Sequence, residues 1–131
     1  METFWTYLVI GAGSALGGMG RYGLARFVAQ RCGETLPWGT LFINVSGSFA
    51  IGLGAALALP GGRCRLPHPW SLFLLTGVSG GYTTFSAFSL QTLQLAQAGA
   101  WVHAGANVAL SLGLCLAAVA LGYALGQAWN R

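Results

Sequence analysis

The chain has 131 residues, 55% of them hydrophobic and 6% charged, with a net charge of +4, whereas a soluble domain carries about 25% charged residues. Water is therefore not its main solvent: Glu2, Arg21, Arg26, Arg31, Glu34, Arg63, Arg65 and Arg131 fall at the ends or in two short zones between apolar runs. The arginines are scattered too widely to form the basic stripe that phosphate recognition needs, which excludes nucleic acid as a partner and leaves a membrane-flanking role.

Four apolar stretches follow one another: Phe4 to about Phe27, Leu36 to Leu59, Trp70 to about Ala98, and Trp101 to about Trp129. Each is long enough to cross a hydrocarbon core of ~30 Å, which takes roughly 20 helical residues. The first run follows Glu2 instead of a basic segment and continues through glycines to Arg21 without a cleavage signal, so it is expected to be a retained span. Arg31-Cys32-Gly33-Glu34 separates the first pair of spans. The stretch from Pro60-Gly61-Gly62-Arg63 to Pro67-His68-Pro69 separates the second pair, and Gln97-Ala98-Gly99-Ala100 predicts a tight third turn. Backbone groups facing lipid need internal partners and no period-2 alternation is present, so the spans are helices. The expected fold is an all-α membrane protein of four transmembrane helices in one domain, residues 1–131. Trp5, Trp38, Trp70, Trp101 and Trp129 lie near the segment ends, where interfacial tryptophans belong. Cys32, Cys64 and Cys115 have no metal-ligand spacing, and neither a disulfide nor a metal-thiolate site is expected.

Four crossings put Arg63, Arg65 and Arg131 on one side and Arg21, Arg26 and Arg31 on the other. Three against three selects no orientation, and such balance permits insertion both ways. A chain that inserts both ways can form an antiparallel dimer whose two-fold lies in the membrane plane.

Polar residues inside the spans carry the chemistry. Thr40, Asn44 and Ser48 recur every fourth residue on one stripe of the second span; Asn107 and Ser111 repeat the spacing in the fourth, followed by Cys115. Two readings fit: hydrogen bonds between helices, worth roughly 0.6–2 kcal/mol each, or a lined water or ion path. Small-residue patterns such as Gly13 to Gly17, and Gly47-Ser48 with Gly52, suit close helix packing. Gly11 to Gly17 is no dinucleotide loop, because no strand precedes it and no acid follows at ribose distance. In the third span, Gly80-Gly81 followed by Thr83-Thr84, Ser86 and Ser89 predicts a break in the helix around Gly80-Gly81, with freed carbonyls facing a cavity or an ion.

Three blocks, Gly17-Gly18-Met19-Gly20-Arg21-Tyr22, Gly39 to Phe49, and Gly77 to Phe88 with its Gly-Gly-x-Thr-Thr-Phe-Ser-x-Phe core, resemble the signature blocks of the CrcB/Fluc fluoride channels. The fourth span matches more loosely, through Ser111 and Leu116 to Gly122. The resemblance implies an antiparallel, dual-topology homodimer in the cell inner membrane, with two fluoride pores at the subunit interface and a central sodium ion. It implies that Gly80 and Thr83 hold sodium through main-chain carbonyls and that Phe85 and Phe88 line the pore, offering positive ring edges to the anion. It further implies that Asn44, Thr84, Thr83, Ser111 and Thr40 supply polar contacts along the path, and that Arg21 concentrates anions in a vestibule. Asn107 stands where the family commonly has a tyrosine, and Cys115 is a poor donor, which predicts a rearranged or shorter polar track. His103 is expected to be an interfacial or packing histidine.

The implied function is passive fluoride export. A small proton-coupled exporter of cations would need a mid-membrane carboxylate, and Glu2 and Glu34 both lie outside the spans. A non-transporting scaffold would leave the polar stripes without a use, and no nucleophile-base or acid pair in the spans suggests an enzyme.

Overall fold

With few charges and almost every backbone group facing apolar surroundings, the chain satisfies its main chain within helices. The computed structural model describes residues 2–33, 35–59 and 67–131, and every regular element among these residues is helical. α1 spans Glu2–Cys32 and α2 Trp38–Leu57. The third crossing is assembled from pieces: α3 (His68–Ser71), a π-helical segment (Leu72–Val78), α4 (Ser79–Tyr82) and, after a break, α5 (Phe85–Gln97). α6 spans Trp101–Asn130, and its 30 residues give ~45 Å of helix. α2 and α6 have mean hydropathies of 1.6 and 2.2 in their most apolar stretches and are long enough to cross a bilayer. The predicted links at Pro60 to Leu66, with Arg63, Cys64 and Arg65, and at Glu34 lie outside the described residues.

Burial runs opposite to that of a water-soluble core. Thr40, Ser79, Thr84, Asn107, Ser111 and Asn130 are buried, whereas Phe4, Trp5, Leu16, Met19, Leu116 and Leu121 are among many large apolar side chains left exposed. Lipid tails are as apolar as leucine, so such helices associate through close backbone packing and internal hydrogen bonds. Small residues supply the packing. A Cβ on Gly122 would collide with the Phe49 carbonyl, and one on Gly52 with the Val119 carbonyl, so α2 and α6 interlock backbone to backbone. Gly17 meets Val78, and Gly81 meets Ser14, in the same manner where α1 crosses the third span.

The turn predicted at Gln97 to Ala100 is present. Gly99 takes φ +77°, its N–H donates to the Ala96 carbonyl at 3.0 Å, and the Ala100 N–H donates to the Leu95 carbonyl at 2.9 Å. This paired closure caps α5 in a turn that glycine adopts without a Cβ penalty. The exposed tryptophans Trp5, Trp70, Trp101 and Trp129 mark the helix ends.

The third span differs from expectation in where it breaks. Gly80 and Gly81 are helical, and the helix is interrupted at Thr83 and Thr84, which take extended backbone at φ −82°, ψ 156° and φ −151°, ψ 109°. The physical reason is that Gly81 serves the close approach to α1, while the interruption is imposed from outside the segment by a side chain of α2.

Candidate functional site

That side chain is Asn44. The Thr84 N–H donates to Asn44 Oδ1 at 2.8 Å, and Asn44 Nδ2 donates to the Thr84 carbonyl at 3.1 Å. Thr84 then begins α5 as its N-cap, its Oγ1 accepting from the Ala87 N–H at 3.2 Å and so satisfying one of the orphan donors of the first turn. On the other side of the break, the Thr83 N–H and the Thr83 hydroxyl both donate to the Ser79 carbonyl at 3.0 Å. Ser46 Oγ and the Tyr82 hydroxyl lie 2.9 Å apart and join α2 to the end of α4.

Two cavities meet at Thr84. The smaller, about 270 Å³, is lined by Asn44, Ser48, Thr83, Thr84, Phe85, Phe88, Ser111 and Cys115. The Phe85 and Phe88 rings lie 5.1 Å apart at 48°. Phe88 is buried, but Phe85 is 71% exposed, so this cleft lacks a wall on its outer side. Ser111 is 6% exposed, and its hydroxyl forms no hydrogen bond with the described residues. The larger cavity, about 890 Å³, is lined by Arg21, Tyr22, Arg26, Trp38, Thr40, Gln91 and Gln94 together with Thr84. Arg26 donates to the Tyr22 hydroxyl at 3.2 Å.

The stripe read from α2 therefore runs from one cavity to the other, with Thr40 on the larger and Asn44 and Ser48 on the smaller. On α6, Ser111 and Cys115 reach the cleft and Asn107 does not. Asn107 is buried and donates from Nδ2 to Thr92 Oγ1 at 2.8 Å, while that hydroxyl donates to the Phe88 carbonyl at 2.7 Å. It ties α6 to α5 behind Phe88, which answers one of the two readings of the α6 stripe in favour of a helix-helix bond. His103 is exposed on α6 and lines neither cavity.

Sequence reasoning missed the α5 wall of the larger cavity. Gln91 Oε1 is buried without a partner there, and Gln91 and Gln94 follow Thr84 and Ala87 at helical spacing. That periodicity was the available signal. Among the described residues no cluster of His, Cys, Asp or Glu could hold a metal.

A family profile described as CrcB-like protein, Camphor Resistance (CrcB), matches residues 8–123. The chain belongs to the CrcB family. Among its relatives, a fluoride-specific ion channel FluC of Paramagnetospirillum magneticum is 51% identical over 126 residues, covering 96% of this chain and 98% of the relative. Proteins of the same description from Opitutus terrae and Rhodospirillum rubrum are 56% and 53% identical, covering 89% and 90% of this chain and 89% and 92% of their own lengths. The CrcB match takes in both cavities and the break between them.

Proposed function

We infer that this chain is a fluoride channel of the membrane, through which the anion leaves the cytoplasm passively. The observation that carries the reading is the cleft itself, which joins two phenylalanine rings to amide and hydroxyl groups and contains no formal charge. Fluoride is small and strongly hydrated, and conduction requires replacing its water with contacts favourable enough to enter yet weak enough to leave. Ring edges and the donors of Asn44, Thr84 and Ser111 meet that condition, while the Thr83 hydroxyl is already spent on the Ser79 carbonyl; a cation inside the cleft would trap the anion. Arg21 and Arg26 stand back in the larger cavity, where their field raises the local anion concentration without forming a sink. Fluoride that enters a cell as the neutral acid dissociates in the near-neutral interior, and the interior-negative potential drives the anion outward.

The open side beside Phe85 is closed by a second copy inserted in the opposite sense, giving an antiparallel homodimer in the cell inner membrane with two pores. A sodium ion belongs to this reading. Among the described residues, no backbone N–H donates to the Gly80 or Thr83 carbonyl across the break, and Gly80 is exposed. Uncharged oxygens freed at a helix break suit a hard cation, and the two-fold would bring the same pair from each copy. When bound, sodium supplies a fixed positive charge at the centre of the dimer.

The test is fluoride efflux from liposomes containing the purified protein, voltage-clamped by a potassium ionophore, beside a chloride-loaded control. Rapid fluoride efflux with little chloride leak is expected; no efflux from a well-folded dimer refutes the channel, and efflux only under a proton gradient assigns a coupled transporter instead. In the same assay Arg21→Gln is expected to slow efflux by about tenfold at low ionic strength and much less at high salt, where the field is screened. An equal loss at both salts would contradict a role for Arg21 through its field.

A further inference from the structure

The Asn44 carboxamide grips both main-chain polar groups of one residue, accepting from the Thr84 N–H at 2.8 Å and donating to the Thr84 carbonyl at 3.1 Å. A residue presents its N–H and C=O on the same side only in extended backbone, since in an α-helix the two point in opposite directions along the axis. Thr84 is extended, at φ −151°, ψ 109°. The grip therefore selects the broken form of the third span over a continuous helix. In a continuous helix the Thr84 N–H would donate to the carbonyl four residues earlier, that of Gly80. Here it goes to Asn44, and no backbone N–H of the described residues beyond the break reaches the Gly80 carbonyl.

The amide has a second consequence. A carboxamide nitrogen carries two N–H donors in one plane; one is used on Thr84, and the other is left for the cleft that Asn44 lines. We propose that Asn44 is a positioning residue that couples cation and anion sites, its oxygen freeing the Gly80 carbonyl by capturing the Thr84 N–H while its spare N–H serves the anion cleft. This rests on the reading of the protein as a sodium-containing fluoride channel. It goes beyond a donor role for Asn44, because the acceptor half of the amide acts on the other ion.

The two halves are separable by substitution. Asn44→Leu has similar bulk and neither function. Asn44→Asp retains an oxygen that accepts the Thr84 N–H in either protonation state, but has no spare amide N–H. The measurement is the thermal unfolding midpoint of the purified dimer in sodium and in N-methylglucamine, with liposomal fluoride efflux alongside. Wild type is expected to gain at least about 3 °C in sodium, Asn44→Leu to lose that gain, and Asn44→Asp to keep it while losing fluoride efflux. A wild type indifferent to sodium overturns the cation reading and this proposal with it. A wild type stabilised by sodium, with Asn44→Leu stabilised equally, overturns the proposal alone. Should Asn44→Leu fail to fold, Asn44→Asp decides: loss of its sodium response refutes the coupling.

Discussion

Phe85→Ile is expected to abolish fluoride efflux from liposomes while leaving the protein folded. Within one protomer Phe85 is 71% exposed, against 7% for Phe88, so isoleucine at 85 removes little intramolecular packing. What isoleucine cannot supply is the ring edge with its partial positive charge. The Phe88 ring, 5.1 Å away, is left as the sole aromatic contact in the cleft, and an anion passing Phe85 meets methyl groups in place of that edge. A fall of about a hundredfold or more is expected, equivalent to roughly 2.7 kcal/mol on the barrier. The comparison needs size-exclusion profiles and unfolding midpoints matched to wild type. Efflux at the wild-type rate from such a preparation would remove the Phe85 ring from the recognition mechanism. Phe88→Ile is the poorer first test, since it disturbs a buried side chain that also lies next to the Thr92–Asn107 bond.

The second large effect is structural. Gly122→Val is expected to prevent α2 and α6 from docking, because even the first carbon of a side chain there overlaps the Phe49 carbonyl. Ordinary overpacking costs about 1–3 kcal/mol when side chains can shift. Here the obstacle is backbone on a neighbouring helix, which yields only by separating the two helices. Gly52 presents the reciprocal contact with the Val119 carbonyl, so Gly52→Val should fail in the same way. Gly105→Ala on the same α6 helix has nothing within 4 Å of the added carbon and serves as the control. Detergent-extracted protein should be monodisperse for wild type and Gly105→Ala and aggregated or thermally labile for Gly122→Val. A Gly122→Val protein as stable as wild type would mean that the α2–α6 contact is looser than the structure has it.

The helices and the final turn were legible in the sequence for local reasons, but not every end was: α1 continues past the expected end near Phe27 through Arg31 to Cys32, and α3 already begins at His68, inside the expected link. Apolar runs bounded by Gly33, Pro67 and Gly99 leave the backbone few alternatives, and Gly99 meets a conformational need of its own turn. The stripe Thr40, Asn44, Ser48 was legible through helical periodicity alone. The fourth-span stripe was legible as a pattern but not in its use: Asn107 and Ser111 share a spacing, and only the approach of Thr92 turns Asn107 toward α5 while Ser111 reaches the cleft. Gln91 and Gln94 carried only their helical spacing as a signal, since amides on a helix acquire meaning from the cavity they face.

By itself, the sequence determined that the chain is helical and membrane-embedded, that no carboxylate lies within its spans, and which three blocks join it to the fluoride channels. These follow from hydropathy, charge placement and motif order, which are properties of the chain read along its length. The tertiary structure alone decided that the third span opens at Thr83–Thr84 instead of at the glycine pair, and that Thr84 joins the arginine-lined cavity to the phenylalanine cleft. The reason is that a helix breaks where its hydrogen bonds find better partners, and the partner here, Asn44, is 40 residues away in the chain and belongs to another helix.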